Sequence, residues 1–85
     1  MVIYHFPVRP EIGWQNVMMP AGAQPIHIGA NRNGYRLWAI VDPTAEAVPT
    51  TLAVIGTGWE VPPDARHVHT DIVRGMVWHL FVPVQ

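Results

Sequence analysis

The chain has no cysteine, and its 85 residues include no serine and no lysine either. The first absence excludes disulfides, thiolate metal sites and thiol nucleophiles. The other two exclude serine hydrolases, Schiff-base chemistry and the phosphate-loop lysine. Charge is scarce at 13%, and five arginines against six acidic residues leave a formal net charge of -1. Gripping a nucleic-acid backbone takes a basic excess that is missing here, so no nucleic-acid partner is expected. No apolar run approaches the roughly 18 to 20 residues of a membrane-spanning helix. The first residues show neither the positive patch nor the apolar run of a secretory signal. No membrane partner is expected, and the chain is expected to be soluble inside the cell that makes it.

What is present is apolar: 49% of the residues are hydrophobic, too many for a disordered chain. The length accommodates one small domain, residues 1–85. Nine prolines and seven glycines punctuate short runs rich in valine, isoleucine, tryptophan and threonine. No run shows a clean helical period. This pattern predicts an all-β domain, a small antiparallel roll, barrel or sandwich of six to seven short strands. Strand-like runs fall near 2–6, 13–18, 24–30, 35–41, 50–56, 66–73 and 76–82. Proline at 43, 49, 62 and 63 stiffens the loops 42–49 and 58–64.

Two hairpins can be set in register. Asn33-Gly34 is the preferred pair for a two-residue turn with positive φ at both positions. It places Ile28 opposite Ala39, Ile26 opposite Val41 and Ala30 opposite Leu37 on one apolar face. Trp38 then lies over Gly29 on the reverse face, with His27 beside Ile40. A second turn at Arg74-Gly75 sets Val68, Thr70 and Ile72 across from Val77, His79 and Phe81, although arginine tolerates positive φ poorly. The expected core holds Leu37, Ala39, Val41, Ile26, Ile28, Ile55, Val77 and Phe81. Strands 35–41 and 76–82 are apolar on both faces, and little chain remains to cover the second one. A homo-oligomer is therefore expected, most simply a twofold dimer, with Trp38, Ile40, Trp78 and Leu80 at its interface.

His67, His69 and Asp71, spaced two apart on one strand, are the ligand types of a zinc or non-haem iron site. A third ligand at i+4 falls out of reach unless a bulge intervenes, and His5, His27 and His79 could complete a site only by coincidence of folding. Simple alternation on a solvent-facing strand accounts for the same spacing, so no metal and no cofactor are expected. His79 should be a neutral imidazole bonded to the Thr70 hydroxyl. Gly56-Thr57-Gly58 matches no phosphate-binding spacing and reads as a tight turn. Aromatic residues and arginines anchor binding surfaces, which makes Trp14, Arg36, Trp59, Arg66, His67 and His69 the candidates for gripping a host protein or a small anionic ligand. The same tryptophans also suit the ends of a small core. With the carboxylates mostly in loops, no enzymatic activity is expected.

The stretches Met19-Pro20-Ala21-Gly22-Ala23, Leu37-Trp38-Ala39 with Val41-Asp42-Pro43, Gly56-Thr57-Gly58, and Gly75 with Val77-Trp78-His79 and Phe81 resemble a family of small uncharacterised proteins of tailed phages and prophages. The resemblance covers the chain from about residue 15 onward. It implies a phage origin and a compact β domain, and brings no activity with it. The His67 and His69 pair departs from the pattern. What the resemblance implies about role is a protein that binds and blocks a host component, or holds a small anionic ligand, in the cytoplasm of an infected bacterium. The alternative is a minor virion part that contacts other virion proteins on a capsid or tail. Only residues 7–13, with Pro7 and Pro10, resemble the arm such a part uses, which favours the first role. A metal-dependent enzyme using His67 and His69 is the remaining alternative.

Overall fold

Runs of β-branched and aromatic residues between proline and glycine stops become seven strands in the computed structural model, which describes residues 1–84. They are β1 (Val2–Pro7), β2 (Gln15–Pro20), β3 (Gln24–Asn31), β4 (Gly34–Val41), β5 (Ala47–Gly56), β6 (Ala65–Val73) and β7 (Met76–Pro83). All pairings are antiparallel, in a three-stranded sheet ordered β1-β4-β3 and a four-stranded sheet ordered β2-β5-β7-β6. No helix occurs among the described residues. Strand β5 starts three residues earlier than the sequence pattern suggests and runs through Pro49. That stretch is paired to β2 alone, where a proline is tolerated.

The first hairpin turns one residue earlier than expected. Asn31 lies opposite Gly34, so Arg32 and Asn33 form the turn and Ile28 faces Leu37. The Asn31 side chain accepts the Asn33 N–H at 2.8 Å, a local bond that fixes where the chain reverses. Gly34 supplies the one positive φ, 128°. The change keeps parity, so Ile28, Leu37, Ala39 and Val41 share one face and are fully buried. Trp38 does lie over Gly29, while His27 stands opposite Trp38 rather than Ile40. The second hairpin turns at Arg74-Gly75 as expected, with φ of 55° and 81°. Arg74 offsets its unfavourable φ by donating to the Asn31 carbonyl at 2.8 Å and lying over the Tyr35 ring.

The two sheets face each other across one core. Ile28, Leu37, Ala39 and Val41 come from one sheet, and Met19, Leu52, Val54, Val73, Trp78 and Leu80 from the other. Each large side chain buried there contributes roughly 1.5–3 kcal/mol. Trp78 and Leu80 are thus core residues and not an interface, and Val77 and Phe81 point outward. Strand β7 is apolar on both faces, so a period of two leaves its facing undecided. Ile55 is buried, but on the outer face of β5 opposite His79. Ile26 is only half-buried because β3 slips register between Pro25 and His27.

One end of the sandwich is closed. Trp78 meets Tyr35 and Trp59 edge to face, at ring centroid distances of 5.8 and 5.4 Å. Gly56 makes this possible: a Cβ there would stand 3.0 Å from both Trp59 and Trp78. The other end, where β3 and β6 begin, is open.

Candidate functional site

At the open end lies a cleft of about 740 Å³, bounded by the β2–β3 turn, the starts of β3, β5 and β6, and the end of β7. Its walls mix apolar Ile26, Val68, Val82 and three prolines with polar Gln24, Thr50 and Thr51. Among the described residues, Arg66 and His67 are the only ionisable side chains lining it, and no carboxylate does. Its threonines are engaged elsewhere, with Thr50 donating to the Val48 carbonyl and Thr51 to Asn16. The ionisable groups of the cleft among the described residues are therefore one fixed positive charge beside one imidazole, with the Gln24 amide also at its wall.

Two bulges shape this end. One interrupts β3 between Pro25 and His27, the other β6 between His67 and His69. A bulge opposes two residues to one and reverses the alternation beyond it. His67 consequently faces outward with Phe81, while His69 follows the inward-facing Leu80. The expected trio of His67, His69 and Asp71 on one face is thereby broken. His67 Nε2 instead meets the Thr70 hydroxyl at 2.6 Å. Thr70 also meets His79 Nδ1 at 2.9 Å, as the hairpin register led one to expect, and His79 Nε2 meets Thr57 at 3.0 Å. His79 is half-buried rather than enclosed.

These contacts form one chain, His67, Thr70, His79, Thr57. A threonine hydroxyl has a single proton, so Thr70 donates to one imidazole and accepts from the other. If Thr57 donates to His79, then His79 donates to Thr70 and Thr70 to His67, which leaves a neutral His67 with its N–H at Nδ1. Reversing every bond leaves an acceptor there instead. The chain thus fixes the His67 ring and sets what it offers to the cleft.

Sequence reasoning admitted His27 to a metal site only by coincidence of folding. Strands β3 and β6 pack edge to edge without a backbone ladder, and there the His27 and His69 rings lie 4.4 Å apart between centroids. His69 Nδ1 accepts the Ile28 N–H at 3.2 Å, capping an edge amide of β3. Burial, helped by the neighbouring His27, holds the His69 pKa below its ordinary value, and Asp71 opposes the shift. The remaining candidates scatter. Trp14 is half-buried ahead of β2, Arg36 on β4 bonds Asn31, and Trp59 packs on Trp78 at the closed end. Of the six candidate binding residues, only Arg66 and His67 line the cleft. Gly56-Thr57-Gly58 is a tight turn, closed by the bond from Trp59 N–H to the Gly56 carbonyl at 3.0 Å.

The family model described as Domain of unknown function (DUF7352) matches residues 1–85. The chain belongs to that family. No curated protein and no solved structure matches it. On this member of the family, the Met19-to-Ala23 stretch ends β2 with the buried Met19 and brings Gly22 and Ala23 to the cleft rim.

Proposed function

We propose that this protein is a non-catalytic binding module whose open-end cleft holds a small ligand with an apolar body and an anionic group. The observation that carries the reading is the cleft's lining: Arg66 and His67, no carboxylate among the described residues, and Ile26, Val68 and Val82 beside them. An anion is matched by the Arg66 guanidinium, which offers forked N–H donors. It also favours the bond polarity that presents His67 Nδ1–H. Of the two occupants that the sequence left open, a host protein and a small anion, a concave cleft of this volume suits the small one.

A virion decoration role draws less support. The segment resembling an arm is held down: Gln15 brackets the Arg9 backbone with bonds of 2.7 and 3.3 Å, and the Glu11 N–H donates to the Val54 carbonyl at 3.3 Å. An enzyme built on His67 and His69 draws less still, since the β6 bulge sends the two rings to opposite faces.

A calorimetric screen tests the proposal, comparing nucleoside monophosphates, cyclic dinucleotides and aryl carboxylates with uncharged nucleosides. Saturable binding of an anionic class alone is expected, weakened by Arg66→Gln about tenfold, or ~1.4 kcal/mol. Equal binding of charged and uncharged compounds, or indifference to Arg66→Gln, would contradict it.

A further inference from the structure

Three donor side chains converge at the seam between the sheets, apart from the cleft. His27 on β3 and His69 and Asp71 on β6 offer one ligand atom each, all within 4.8 Å of one another. They form the one such group of three among the described residues. A tetrahedral ion with bonds of about 2.0–2.1 Å holds its ligand atoms about 3.3 Å apart, so a modest inward movement of each side chain completes the geometry. Two imidazoles and one carboxylate without a thiolate suit zinc and its neighbours in the first transition row.

The surroundings hold the donors ready. His27 makes no side-chain hydrogen bond within the described residues, and Asp71 accepts only the next residue's N–H, at 2.8 Å. Gly29 leaves room for the His27 ring, since a Cβ there would stand 3.2 Å from His27 Nε2 and 3.1 Å from Trp38. His69 is the member already in use. A neutral imidazole carries one lone pair on its ring nitrogens, and the Ile28 N–H takes it at Nδ1. Whichever nitrogen an ion uses, binding it removes that acceptor from Ile28.

We propose that His27, His69 and Asp71 bind a divalent transition-metal ion, zinc by ligand type, in competition with the Ile28 amide, so that occupancy frees the β3 edge at the seam. The site shares no residue with the cleft and stands whether or not the cleft binds an anion. Solvent supplies the remaining coordination position, as in open zinc sites.

The test uses the full chain without a histidine tag, stripped by chelator and then titrated with Co²⁺ by visible absorption and with Zn²⁺ by calorimetry. One ion per chain is expected. His27→Ala and Asp71→Asn should each weaken it by at least about tenfold. His67→Ala should leave it unchanged, because the bulge turns that ring away. Gly29→Ala should also weaken binding although it removes no ligand, through displacement of His27. His69 variants also lose the bond to Ile28, so the variants at 27, 71 and 29 carry the test, with amide spectra confirming their fold. In the zinc-loaded protein the Ile28 amide should exchange faster than in the stripped one. Absence of saturable binding, or equal affinity in His27→Ala, would overturn the site. Unchanged or slower Ile28 exchange would overturn the competition.

Discussion

Single residues at the closed end and in one loop expose the packing and electrostatics of this chain to measurement. Gly56 sits where two indoles converge, and no positive φ explains it, so space alone demands glycine there. Gly56→Ala should cost about 1–3 kcal/mol by overpacking, read as a lower urea midpoint with an altered tryptophan emission. An unchanged midpoint would mean that Trp59 swings away freely. In the β4–β5 loop, the Thr44 hydroxyl and amide donate to the Asp42 carboxylate at 2.7 and 3.0 Å and hold its pKa below the ordinary 3.8. The shift is a lowering of a carboxyl, so its stabilising effect is present above 3.8 and is lost as pH falls through the folded value. Thr44→Ala should raise the Asp42 titration midpoint followed by NMR. An identical midpoint in both proteins would show that the hydroxyl bond is absent in solution.

At the scale of elements, β7 decides which half of the chain's apolar surface is core. Leu80→Ala should cost about 2–5 kcal/mol by opening a cavity. Phe81→Ala, on the half-buried outer face, should cost clearly less in the same denaturant series. The reverse order would restore the facing expected from sequence. The strands themselves were legible because proline and glycine punctuate them, and the faces of β4 and of β3 beyond its bulge were legible because parity survives a one-residue shift of the turn. The faces of β6 and β7 were not. Both sides of β7 are apolar, and the extra residue at Val68 leaves no compositional mark. Pro25 is the only hint of the companion bulge in β3, since a proline lacks the N–H that a ladder uses. The unread bulge explains why His67 rather than His27 was grouped with His69: alternation assigns partners along a strand, whereas the structure assigns them across a seam.

For the whole molecule, the decisive feature is the contrast between its two ends. Tyr35, Trp59 and Trp78 seal one, and the bulges of β3 and β6 leave the other open beside Arg66 and His67. Arg66 and His67 were legible as candidates from their type alone, but the cleft around them was not, because segments far apart in sequence form it. The doubly apolar argument for an oligomer also narrows at this scale. Trp78 and Leu80 are satisfied by the core, which leaves Trp38 and Ile40 with the exposed Ile3 on the outer face of the three-stranded sheet. The central claim, that the open end holds a small anion, is tested most directly by mapping amide shifts in the labelled protein during titration with the tightest anionic compound from the screen. A ligand cleft predicts saturable shifts grouped at residues 22–26, 49–51, 66–68 and 82–83, diminished in Arg66→Gln. Shifts grouped instead around Trp38 and Ile40, or at the closed end around Trp59 and Trp78, would contradict it.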